Sequence, residues 1–87
     1  AMYKAVLQLR TLEECCDFFE DICAVTELRS MEQRYEVAKM LMEDKVYTEI
    51  MQKTNASSAT ISRVNRSLIY GNDGYDMAFE RLKEKDK

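Results

Sequence analysis

Apolar residues recur along this chain at helical spacing and fall into separate blocks. Leu12, Cys16, Phe19 and Cys23 stand at i, i+4, i+7 and i+11, one stripe of a helix, widened by Phe18 and Ile22. Thr11, with Glu14 three positions on, predicts a capping box that opens this helix. Ahead of it, Tyr3, Val6 and Leu7 fit a helix better than a strand, so Tyr3 to Leu9 predicts a shorter helical segment. After Ala24 and Val25 interrupt the pattern, Thr26 is the next expected N-cap. From Glu27 to about Glu43 the chain reads as helix, with Leu28, Met31, Tyr35, Ala38, Leu41 and Met42 inward.

Glu43-Asp44-Lys45 is a polar break, after which Val46, Ile50 and Met51 resume the helical period. Asn55 can adopt the left-handed conformation at modest cost and so predicts the end of that helix. Ser57 is a good N-cap for the next, from Ser58 to about Tyr70. The run YGNDGY predicts a turn. A last amphipathic helix, about residues 75–85, offers Met77, Ala78, Phe79 and Leu82 for burial.

Pro is absent, Gly occurs only at 71 and 74, and no segment carries a strand signal, so the expected fold class is all-α. With 46% hydrophobic and 33% charged residues in 87, residues 1–87 are expected to form a single folded helical domain. Five or six short helices carry more apolar faces than they can cover among themselves. The expectation is therefore a homodimer, with dimerisation helices over about residues 3–43 that interlock with a second copy. No apolar run approaches the roughly 20 residues of a membrane span, and no signal-peptide pattern is present, which together suggest the cytoplasm. Ala1, ahead of Met2, has the look of an expression remnant. Cys15, Cys16 and Cys23 lack metal-site spacing and the chain has no His, so reduced core thiols and no metal are expected.

The net charge of −3 argues against a polyanionic partner until its distribution is considered. Residues 1–44 carry five basic and ten acidic side chains, and residues 71–87 carry four and five. Residues 45–70 carry Lys45, Lys53, Arg63 and Arg66 against Glu49 alone. The basic segment coincides with two short helices separated by a three-residue turn, over about residues 46–70, the pattern of a helix-turn-helix. Ile50 and Met51 are the expected inward positions of its first helix, Ala56 fills the corner, and Ile61 and Val64 face inward on the second. Thr54 is less apolar, and Met51 larger, than the pattern usually has.

At 100° per residue, the face of the second helix opposite Ile61, Val64 and Leu68 carries Ala59, Ser62, Arg63 and Arg66. Small residues and arginines suit a helix that enters the major groove, where arginine can bind guanine edges in bidentate fashion. Ser57, Ser58 and Thr60 at its start can hold a phosphate together with the backbone N–H groups there. Lys45 and Lys53 are candidate phosphate neutralisers. The expected partner is thus double-stranded DNA. The competing reading is a solvated face, or a protein-interaction module that uses the helix-turn-helix surface for docking. An enzyme is disfavoured, because no His, Gly-rich phosphate loop or base-paired nucleophile is present.

The segments VYTEIMQKTNA and SATISRVNRSL resemble the two reading-head helices of the Trp repressor family. LRTLEECCDFFEDICAVTELRSMEQRYEVAKML is similar to the branch of Trp-repressor-like proteins of the YerC/YecD type. The resemblance implies an intertwined all-α homodimer that binds an operator as a transcriptional repressor. It also implies an effector pocket in which tryptophan lies between two arginines and beside a serine. Arg63 and Ser67 match one arginine and the serine, while the other arginine aligns with Gln33, one position from Arg34. Where Trp repressor has glycine after the reading-head arginine, this chain has Val64, which counts against a tryptophan corepressor and leaves any effector unidentified.

Overall fold

A computed structural model describes residues 1–85, and the described residues are helical with no strand. Six helices follow one another: α1 (Met2–Val6), α2 (Leu12–Ile22), α3 (Val25–Met42), α4 (Tyr47–Thr54), α5 (Ser58–Tyr70) and α6 (Gly74–Lys85). The all-α expectation holds. None of them is long and apolar enough to cross a membrane. The chain divides into two compact units, residues 1–30 and the remainder from Met31.

In the first unit the Thr11 hydroxyl accepts the Glu14 N–H at 3.1 Å, as its sequence predicts. The Glu14 carboxylate reaches one residue further back than a regular capping box and accepts the Arg10 N–H at 2.8 Å. The start of α3 departs from expectation. Thr26 lies inside the helix, and the chain turns at Ala24, whose N–H is taken by the Glu27 carboxylate at 2.8 Å. That reach-back is the half of a capping box made by the Glu side chain, and it satisfies the Ala24 N–H although position 24 carries no side-chain oxygen. No residue of this unit is buried within the chain. The three thiols are free, as expected, yet Cys16 is exposed and Cys15 and Cys23 only half-buried, so they are not core residues of the single chain.

The second unit holds the core: Val37, Ala38, Met40, Ile50, Ala56, Ile61 and Val64, with Leu41, Leu68, Tyr75 and Phe79 packed against it. On α3 the inward face is turned relative to the expected one. Ala38 is buried, but so are Val37 and Met40, whereas Met31, Tyr35 and Met42 keep substantial exposure. The helix ends in a Schellman motif, with the Lys45 N–H on the Met40 carbonyl, the Asp44 N–H on the Leu41 carbonyl, and Asp44 at φ 60°. The polar break in the sequence is this cap. Gly74 and Tyr75 belong to α6, so the turn between α5 and α6 is shorter than YGNDGY predicts and centres on Asn72 and Asp73. Gly71 is required there, because a Cβ would meet the Ser67 carbonyl oxygen that its own N–H binds.

Candidate nucleic-acid interface

The basic segment folds as two helices joined by Asn55, Ala56 and Ser57, and α4 packs directly on α5. Asn55 occupies the left-handed region at φ 62°, ψ 12°, and its N–H binds the Met51 carbonyl. Ala56 is buried in the corner, where a larger side chain would push the helices apart. Ser57 caps α5: its Oγ accepts the Thr60 N–H at 3.2 Å and donates to Thr60 Oγ1 at 3.1 Å. Substituting such a cap by Ala typically costs about 1 kcal/mol.

Thr54, a departure from the usual pattern in sequence, acquires a reason. Its hydroxyl donates to the Ile50 carbonyl at 2.7 Å and accepts the Ala56 N–H at 3.2 Å, so it stitches α4 to the turn. Its carbonyl accepts the Gln33 carboxamide N–H at 3.0 Å, across 21 positions of sequence. Gln33 on α3 thereby ties the end of α4. Met51, expected inward, is 39% exposed, and the inward position of α4 is Ile50 alone. The helix crossing therefore needs no small residue at Met51.

On α5, Ile61 and Val64 are buried, while Ser58, Ala59, Ser62, Arg63 and Arg66 are exposed. The structure thus brings these five to solvent along one short helix, with Ser57 exposed at its start and Thr60 half-buried against it. Lys45 is exposed just after α3, and Lys53 is exposed near the end of α4, 4.0 Å from Glu49. That exposed pair is worth about 0–1 kcal/mol, too little to fix the lysine against a competing anion.

A sequence model of the family described as Trp repressor protein matches residues 1–83. The chain belongs to the Trp repressor family. It is 51% identical over 85 residues to the uncharacterised protein YerC of Bacillus subtilis (strain 168), covering 98% of this chain and 82% of YerC, which places it in the YerC-type branch of that family. Its fold superposes on a TrpR-like protein from Eubacterium eligens ATCC 27750 with a TM-score of 0.91 and 60% identity, over 94% of this chain and 84% of that one. A candidate Trp repressor from Staphylococcus aureus gives a TM-score of 0.90 and 48% identity, over 94% and 82% of the two chains.

Of the residues that the resemblance assigns to a tryptophan site, two depart from the family's pattern, at Gln33 and Val64. Gln33 is neutral, and its carboxamide is engaged on the Thr54 carbonyl. Val64, 1% exposed, is part of the core, so its backbone carries a packed isopropyl group where the family's ligand site has glycine. Arg34 is half-buried, and Arg63 and Ser67 are exposed. Ser67 lines an open depression with Gly71, Asn72, Gly74, Tyr75 and Ala78, to which Gln33, Arg34 and Arg63 do not contribute. The roles of Gln33 and Thr54 as a tie were not readable from spacing, because a bond across 21 positions leaves no periodic trace.

Proposed function

We propose that the chain is a sequence-specific DNA-binding transcriptional regulator, a repressor, that enters the major groove as a homodimer and acts in the cytoplasm. The observation that carries this reading is the disposition of α5: Ile61 and Val64 anchor it, and Ser58, Ala59, Ser62, Arg63 and Arg66 are left exposed in a segment with a basic balance. Arg63 and Arg66 read base edges, and Ser57, Ser58, Thr60 and Ser62 take phosphate or base contacts. Lys45 and Lys53 neutralise phosphates. The role is binding without catalysis, and no tryptophan corepressor takes part.

Homodimerisation is supported by the first unit, which has no buried residue and leaves Tyr3, Leu7 and Leu12 about four-fifths exposed and Ile22 and Val25 more than half exposed. Apolar surface on that scale is covered in stable proteins by a partner. A second copy supplies two reading helices, suited to a two-fold operator.

Selection from random DNA duplexes tests the proposal. A recovered motif with two-fold symmetry is the expected result. Failure to enrich any motif, together with stable capture of a protein by the same surface, would replace DNA reading by protein docking.

A further inference from the structure

Among the described residues, the Gln33–Thr54 hydrogen bond is the one side-chain hydrogen bond that joins residues more than four positions apart. It ends on the last residue of α4, immediately before the turn that sets the direction of α5. We infer that Gln33 is a positioning residue that holds the reading head on α3 by the protein's own hydrogen bond, making DNA binding independent of a bound effector. The inference rests on the DNA-binding reading above and adds how that activity is controlled.

Three observations converge on it. Gln33 is half-buried, and one of its two N–H donors is engaged on the Thr54 carbonyl at 3.0 Å, so the carboxamide already serves the scaffold without a ligand. The Thr54 hydroxyl fixes the turn that follows, so what Gln33 holds at the carbonyl is transmitted to Ala56 and the start of α5 through bonded and hydrogen-bonded atoms. Val64, together with Ile61, Val37 and Ala38, closes the core of which α3, α4 and α5 form part. A head fixed from two sides, by a core contact and a polar tie, needs no third body to set its angle.

Both the amide and the carbonyl are neutral, so the tie requires a donor at position 33 and tolerates no acceptor there. Gln33→Met keeps length and helix propensity while it removes the donor. Gln33→Glu keeps the shape but sets a carboxylate oxygen against the carbonyl oxygen. Either change leaves the half-buried Thr54 carbonyl without its partner.

The test uses the full chain and an operator selected from random duplexes without added ligand. Specific and non-specific affinities are measured for wild type, Gln33→Met and Gln33→Glu, well below each melting temperature. The expected result is a loss of about 3- to 10-fold in specific affinity for both variants, with non-specific affinity unchanged for the neutral Gln33→Met. The added charge of Gln33→Glu lowers its non-specific affinity as well, so the Met variant carries the ratio. A purely stabilising role would lower the melting temperature and leave the specific-to-non-specific ratio of the folded protein intact, which overturns the inference. Independently of any variant, L-tryptophan is titrated into wild type with the operator present. Unchanged affinity is expected, and a tenfold tightening overturns the inference. If no operator is selected, the DNA-binding reading fails first, an outcome separate from wild-type binding that ignores position 33.

Discussion

The rings of Tyr35 on α3 and Phe79 on α6 lie with centroids 5.1 Å apart and planes tilted by 45°. Tyr75 stacks on Phe79, with centroids 6.3 Å apart and planes at 16°. This aromatic group attaches α6 to the core through two half-buried rings, Tyr75 and Phe79. Phe79→Ala is expected to destabilise the fold by about 2 kcal/mol, because it removes both the buried ring area and the aromatic pairing. Urea denaturation followed by circular dichroism measures it, and an unchanged midpoint would mean that α6 does not depend on Phe79.

Asn55 sits at φ 62°, where most side chains meet steric cost. Asn55→Ala is expected to lose about 1–2 kcal/mol, whereas Asn55→Gly is expected to match or exceed the native stability. Thermal melts of the two variants compare them directly. Equal melting temperatures would show that the turn relaxes out of the left-handed region.

Arg63→Ala and Arg66→Ala are each expected to weaken operator binding by about 1–3 kcal/mol and to relax preference at particular base pairs. Both side chains are exposed, so the melting temperature should stay where it is. Binding titrations on single-base operator variants give the answer. Affinity unchanged at every base would remove these arginines from the reading surface.

Lys45→Ala should weaken binding to all sequences alike and reduce the slope of log affinity against log salt by about 1. Titrations at several salt concentrations supply that slope. A slope that does not move would exclude a phosphate contact at Lys45.

On the proposed dimeric reading, wild type sediments as a dimer and Leu7→Lys combined with Leu12→Lys as a monomer, since both side chains stand about four-fifths exposed in the single chain. Sedimentation velocity distinguishes the two species. A double variant that sediments like wild type would move the subunit interface elsewhere.

What was legible in the sequence was what is local. Thr11, Asn55 and Ser57 act through atoms within three or four residues, and α5 begins and ends where its N-cap and period place it. The inward face of α3 was not, because apolar residues occur around much of its circumference and spacing alone cannot rank Val37 and Met40 above Tyr35 and Met42. The start of α3 was misplaced for a related reason. A cap made by Glu27 reaching backward looks, in sequence, like a cap made by Thr26. At the candidate interface, the outward residues followed from the helical wheel. The support beneath them did not, since Gln33 reads as one more polar residue on a charged helix until its partner is placed beside it.

The link between Gln33 and Thr54 has a physical corollary in that neither partner carries a charge. Added salt screens the attraction between lysines and a phosphate chain but leaves a neutral amide-to-carbonyl bond almost untouched. Grip and posture therefore respond to different variables. On the DNA-binding reading, ionic strength loosens the hold on the polyanion, while the neutral tie between Gln33 and Thr54 keeps its strength from dilute buffer to high salt.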